Sequence, residues 1–212
     1  SIGVTSSAGN GATLSGTTPS TAAVGVATFT GLKLTGLVGD YTLTYASTGL
    51  SSATETVTLL PGAATQLAVT RNSAGIVNRV AFTTQPKVTV QDADGNTVTT
   101  STASIGVTSS AGNGATLSGT TPSTAASGVA TFTGLKLTGL VGDYTLTFAS
   151  TGLTSATETV TLLPGSATKL AVTRASAGIT NRVAFTTQPQ VTVQDADGNT
   201  VTTSTASIGV TS

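Results

Sequence analysis

The sequence predicts an all-β fold made of tandem sandwich domains, on three observations. The first is a repeat. Ser1-Ile2-Gly3-Val4-Thr5-Ser6 returns at Ser104–Ser109 and again at Ser207–Ser212, an interval of 103 residues each time. Residues 1–103 and 104–206 differ at eight positions only: Val24/Ser127, Tyr45/Phe148, Ser51/Thr154, Ala63/Ser166, Gln66/Lys169, Asn72/Ala175, Val77/Thr180 and Lys87/Gln190. That period exceeds the ~20–50 residues of a solenoid unit and matches a small domain of roughly 100 residues. The second is composition. Charged residues make up 8% of the chain and hydrophobic ones 38%, while Ser and Thr fill most polar positions. Strings such as Val-Thr-Val and Thr-Leu-Thr recur, and β-branched side chains suit a pleated, half-buried surface. The third is a polar/apolar alternation near period two, regular enough to argue against disorder, with no sustained helical repeat.

Punctuation places the domains. Pro61-Gly62 and Pro164-Gly165 each close an apolar strand, and a new strand opens at Gln66 or Lys169. Residues 1–62 are then the C-terminal part of one repeat, 63–165 a complete domain, and 166–212 the N-terminal part of the next. Only a few small residues separate neighbours, which predicts a short, stiff junction.

Seven strands are expected in the complete domain. Leu67–Arg71 is the first, followed by an irregular stretch through Ala74-Gly75. Pro86–Asp92 turns Val88 and Val90 inward and Thr89 and Gln91 outward. The Asp94-Gly95-Asn96 turn leads toward Ser104–Thr108, where Ile105 and Val107 point in. Ala115–Ser118 is a short edge strand. Gly128–Leu137 carries Ala130 and Phe132 inward, with a bulge at Gly134. Tyr144–Ala149 places Tyr144, Leu146 and Phe148 on one face. Thr157–Leu163 presents Val160 and Leu162 to the core and its threonines to water. The predicted core is therefore Val88, Val90, Ile105, Phe132, Leu146 and Phe148.

Several of these motifs, taken together, resemble a known family. They are Val88-Thr-Val-Gln-Asp92-Ala-Asp-Gly95-Asn96, Gly114-Ala-Thr-Leu117-Ser-Gly119-Thr, Gly128-Val-Ala-Thr-Phe132 and Gly142-Asp-Tyr144-Thr-Leu146-Thr. The combination resembles the bacterial immunoglobulin-like repeats of the intimin/invasin type, and it covers essentially the whole chain. The resemblance implies an immunoglobulin-like sandwich in a large bacterial surface or secreted protein. There, tandem domains serve as spacers in cell adhesion, sometimes below a ligand-binding tip.

The residue types that are missing narrow the chemistry. Without Cys there is no disulfide, thiolate zinc site or cysteine nucleophile, and without His the commonest general base and transition-metal ligand are gone. No activated nucleophile, convergent acid pair or phosphate loop is found, so the chain is expected not to be an enzyme and to carry no cofactor. A formal net charge of zero gives no reason to expect nucleic acid, and no apolar run approaches the ~18 residues that would insert in a membrane. Met is absent as well. Residues 1–62 lack the first strands of their domain and 166–212 the last ones. The expectation is a window of a longer chain, with subunits that donate strands head to tail as the alternative.

Four motifs have a chemical and a plainer structural reading. Asp92-Ala-Asp94-Gly-Asn96 and its copy Asp195-Ala-Asp197-Gly-Asn199 open like a calcium loop of alternating oxygen ligands. The sixth position, however, is Thr97 where that loop needs Gly, and the twelfth is Ala103 where it needs Glu. A turn in which Asp and Asn bond their own backbone fits better. Tyr144 and Tyr41 follow Gly-Asp, two residues before Leu146 and Leu43, the position of a structural tyrosine corner. Lys136 and Glu158, like Lys33 and Glu55, raise an isopeptide crosslink, but alternation sends Lys136 outward. Thr157, Thr159 and Thr161 form either a binding array or the water-facing half of a strand.

Expected partners are neighbouring repeats of the same chain or head-to-tail copies, with a host or cell-surface ligand conceivable. The expected location is extracellular or at the cell surface. A spacer in a long adhesin or fibre is the leading reading. A filament subunit or a glycan- or protein-binding module are the alternatives, and a saturable ligand for an isolated domain would distinguish the last.

Overall fold

The computed structural model describes residues 1–7, 10–110 and 113–211, with no helix among them. The first part of the chain holds β1 (Gly3–Ser6), β2 (Thr13–Ser15), β3 (Lys33–Thr35), β4 (Gly39–Ala46) and β5 (Ala53–Leu59). The middle holds β6 (Gln66–Arg71), β7 (Lys87–Gln91), β8 (Ser104–Ser109), β9 (Thr116–Ser118), β10 (Ser123–Thr124), β11 (Val129–Thr131), β12 (Lys136–Thr138), β13 (Gly142–Ala149) and β14 (Ala156–Leu162). Two strands close the chain, β15 (Lys169–Arg174) and β16 (Gln190–Gln194).

The fold is an all-β immunoglobulin-like sandwich. In the middle region one sheet has the order β11-β7-β6 and the other β10-β8-β13-β14, all antiparallel. Side chains alternate across each strand, so the inner faces supply one shared core. Val88, Val90 and Ala130 come from the first sheet; Ile105, Leu146 and Phe148 come from the second. Phe132, just past β11, meets Phe148 with ring centroids 5.3 Å apart and planes tilted by 53°, an arrangement favoured by aromatic quadrupoles.

The structure departs from the sequence reading or adds to it in four places. Gly128–Leu137 is not one bulged strand. Gly134 sits at φ 65°, a left-handed turn that glycine adopts without a Cβ penalty. The chain there leaves the β11 pairing and starts β12, which pairs with β9 in a separate two-stranded sheet. With the two-residue β10 added, the middle region has nine short strands where seven were expected. Thr89 points away from the shared core yet is buried, because Thr70 covers it and their hydroxyls bond at 2.8 Å. Finally, the stretch after Ala74-Gly75, which the sequence assigned to no strand, makes a short pairing of its own. Val77 bridges Leu163 in parallel, Leu163 N–H donates to Ile76 O at 3.0 Å, and Asn78 N–H donates to Leu163 O at 2.9 Å. This short rung carries residues 76–79 to the end of the domain where the next repeat begins.

Candidate functional site: the junction between repeats

The polar chemistry of the chain gathers where one repeat meets the next. At the junction near residue 165, the turn after β16 is closed by Asp195 N–H donating to Asn199 O at 2.9 Å and Gly198 N–H donating to Asp195 O at 3.2 Å. Gly198 takes φ 92°, the left-handed conformation such a turn requires. The Asp195 carboxylate is buried inside this turn. It accepts from the N–H groups of Asp197 (3.0 Å), Asn199 (3.0 Å) and Gly165 (2.9 Å), and from Asn199 Nδ2 at 2.9 Å.

Residues of the preceding repeat complete the cluster. Asn78 Nδ2 donates to Asp195 Oδ2 at 2.8 Å and to Asp197 Oδ2 at 2.6 Å, while its Oδ1 accepts from Gly139 N–H at 3.0 Å. Arg79 grips Asp197 with two bonds of 2.7 Å, the fork geometry in which guanidinium and carboxylate match best. Asn199 bridges back: its Oδ1 accepts from Val141 N–H and its Nδ2 donates to Gly139 O, each at 2.9 Å. Arg79 reaches this position because it turns through φ 66°, uncommon for a residue with a Cβ, with Val80 N–H closing the turn onto Val77 O at 3.0 Å.

Electrostatics follow from these contacts. Burial alone would raise the pKa of Asp195, but the bonds from Asn199, Asn78 and the Gly165 N–H outweigh it and hold the carboxyl well below the usual carboxylate range. Arg79 foremost, then Asn78, lowers that of Asp197.

The junction near residue 62 repeats the design. Asp92 accepts from the N–H groups of Asp94, Asn96 and Gly62 at 3.0, 2.9 and 2.8 Å. Asn96 reaches back to Gly36 O and Val38 N–H, both at 2.9 Å. Burial again works to raise the Asp92 pKa, and the Asn96 side chain with the three backbone donors brings it below its ordinary value. In both turns the carboxylate oxygens of the first Asp face N–H donors. Asp92 and Asn96, and their copies Asp195 and Asn199 with Asp197, therefore form a clasp between repeats whose central oxygens are already filled, while Asp94 contributes only its backbone N–H to the turn. A calcium ion would have to displace these donors, and the residues do not fit an oxygen cage. Among the described residues no group of three or more acidic side chains converges as a metal site.

The other residues singled out in the sequence lie apart from this junction chemistry or brace it. Val88, Val90, Ile105, Phe132, Leu146 and Phe148 are fully buried. The hydroxyls of Tyr144 and Tyr41 donate to Leu140 O and Leu37 O, each at 2.6 Å, pinning the loops that carry Gly139–Val141 and Gly36–Val38 to the junction. Lys136 lies exposed, while Glu158 accepts from the N–H and hydroxyl of Ser73, so no Lys–Glu pair forms there. Thr157, Thr159 and Thr161 face water. The sequence reading missed Asn78 and Arg79. Their only signal was an Asn-Arg pair, returning as Asn181-Arg182, in a chain of few charges.

No protein-family model and no curated protein matches the chain. Among solved structures it is similar to FdeC, an Escherichia coli adhesin, at 19% identity and a TM-score of 0.43, covering 92% of this chain and 62% of that one. It is similar to domains 4–9 of the surface layer protein SbsC at 20% identity and a TM-score of 0.38, covering 80% of this chain and 26% of that one. It is also similar to a β-glycosidase from Bacteroides vulgatus at 15% identity and a TM-score of 0.39, covering 76% and 21%. The chain spans 16% to 21% of the length of the glycosidases it matches. Similarity at this level says nothing about activity.

Proposed function

We propose that the chain is a stalk segment of a long extracellular, repetitive adhesin or surface fibre, in which each repeat holds the next in a set orientation. The junction carries this reading. A flexible tether leaves its polar groups to water, whereas here Asn78, Arg79 and Gly139 of one repeat are bonded to Asp195, Asp197 and Asn199 of the next. The reading includes no enzymatic activity: Asp92 and Asp195 accept backbone donors, Asp197 pairs with Arg79, and Glu158 accepts from Ser73. The location at the bacterial surface rests on the resemblance of the repeat motifs to intimin/invasin-type domains.

Small-angle scattering on the chain at low concentration tests the reading. Repeats stacked end to end give a radius of gyration of about 23 Å, as a rod of roughly 80 Å built of two sandwich lengths requires. A value near 17 Å, expected of a globule of this length, overturns it. Saturable binding of a glycan or host protein to the repeat itself would replace the spacer with a binding module.

A further inference from the structure

Of the seven asparagines in the chain, two precede a glycine, and these two are set alike. Asn113-Gly114 and its copy Asn10-Gly11 lie exposed in the loops that lead into β9 and β2. Asn113 Nδ2 donates to Val141 O at 3.3 Å, and Asn10 Nδ2 donates to Val38 O at 3.2 Å. Each amide also rests on the glycine that opens the following long strand. A Cβ on Gly142 would stand 2.3 Å from Asn113 Nδ2, and one on Gly39 would stand 2.4 Å from Asn10 Nδ2, so only glycine leaves the amide its place. The amide thereby braces the loop Gly139–Val141, whose Val141 N–H and Gly139 O are bonded to Asn199 of the next repeat. Val38 N–H is bonded to Asn96 Oδ1 in the same way. The arrangement recurs in both copies and belongs to the repeat itself.

An exposed asparagine is chemically labile toward its own backbone. The main-chain nitrogen of the next residue bonds to the side-chain Cγ, and ammonia leaves. Water then opens the resulting five-membered succinimide at either carbonyl, giving aspartate or isoaspartate. One amide and one water become one acid and one ammonia, with no electrons exchanged. Glycine favours the attack because it has no Cβ to obstruct the nitrogen, and no described atom lies within 4 Å of a Cβ built on Gly114 or Gly11. The other asparagines are placed differently. Asn78, Asn96 and Asn199 are buried with their amides bonded. Asn72 is exposed, but the Ser73 N–H that would have to attack donates to Glu158 Oε2 at 3.0 Å. Asn181 precedes Arg182, whose side chain crowds the attacking nitrogen.

We propose that Asn113 and Asn10 are self-modification sites, converted to aspartate and isoaspartate by attack of the Gly114 and Gly11 nitrogens, and that the conversion loosens the junction clasp. A carboxylate at position 113 has no donor for Val141 O and sets a negative charge against that carbonyl. Isoaspartate also adds a methylene to the main chain and shifts the turn. Either product removes the brace from Gly139–Val141, the loop through which one repeat holds Asn199 of the next. The stalk then softens with age, junction by junction. The chemistry needs only these residues and water, whereas its consequence rests on the stacked repeats argued above.

The test ages the intact chain at mildly alkaline pH and follows it by peptide mass mapping, with isoaspartate assigned by fragmentation. Conversion at Asn113 and Asn10 should run about tenfold or more ahead of conversion at Asn72, with ammonia released in step. No conversion, or equal conversion at all the asparagines, overturns the proposal. The consequence is read by hydrogen exchange at the Gly139–Val141 amides. The aged parent should exchange faster there than the fresh parent, and fresh Asn113→Asp should match the aged chain. Asn113→Gln, whose longer side chain closes a ring slowly, should exchange alike when fresh and when aged. Exchange in the aged parent that equals that of the fresh parent overturns the loosening, and this comparison needs no variant to fold. Scattering from the fresh chain reports its extension separately, so the stalk reading and this one can fail independently.

Discussion

The same six residues, Ser-Ile-Gly-Val-Thr-Ser, occur three times in this chain and meet two different fates. At Gly3–Ser6 and Ser104–Ser109 they are strands, paired with β4 and β13, and Val4 and Val107 are 5% and 7% exposed. At residues 207–211 they form no strand, and Val210 is 91% exposed; Ser212 lies outside the described residues. Leu67 and Phe82, buried in the middle region, have copies Leu170 and Phe185 that are 54% and 39% exposed. A strand in this protein is thus a property of the pair. Alternation supplies a face that can be buried, and the opposite sheet decides whether it is.

The contrast between the middle region and its flanks can be broken by mutation, most strongly at the core. Phe132→Ala removes a fully buried ring packed at a tilt against Phe148 and should cost ~3–5 kcal/mol, a large part of the stability of a domain this size. A melting temperature that hardly moved would refute the packing of β11 against β13. Ile76→Ala should cost ~2–5 kcal/mol. Its copy Ile179→Ala, in dilute solution, should stay within ~0.5 kcal/mol. Equal losses at the two isoleucines would mean that the flank is packed like the middle.

A smaller effect separates the two clasps. Asn78→Ala leaves the Asp195 and Asp197 carboxylates short of a donor and should cost ~1–3 kcal/mol, read as earlier melting or faster proteolysis near residue 165. The same clasp makes the junction acid-sensitive. The folded pKa values of Asp195 and Asp197 lie below the ~3.9 of an unfolded Asp, so their stabilisation is complete above about pH 5 and is lost as pH falls through the lowered folded values. Besides each other, the charged group facing the two carboxylates is Arg79, which stays protonated throughout this range. Melting temperature measured downward from pH 5 should therefore fall less steeply in Asn78→Ala than in the parent. Parallel curves would show that the clasp contributes nothing.

Tyr144→Phe and Tyr41→Phe, which delete only the bonds to Leu140 O and Leu37 O, should each cost ~0.5–1.5 kcal/mol by chemical denaturation. Chelation of calcium should have the smallest effect. The first carboxylate of each turn already accepts several N–H donors, so the melt should not shift. A fall of many degrees that Asp92→Ala with Asp94→Ala removes would overturn the clasp as described.

What the sequence determined by itself was the repeat, the all-β class, the inward residues of β7, β8, β11 and β13, and the turn at Asp92–Asn96. Each of these is local or periodic: a two-residue alternation, a Gly in a left-handed turn, an Asp bonding its own backbone. Only the tertiary structure decided where Gly128–Leu137 divides between sheets, because Gly134 permits a bulge and a sheet switch alike. It also gave Asn78, Arg79 and Asn199 their roles. Asn78 meets Asp195 across 117 residues, and Asn199 meets Gly139 across 60. No spacing within one repeat records either contact, since each joins a residue of one repeat to a residue of the next.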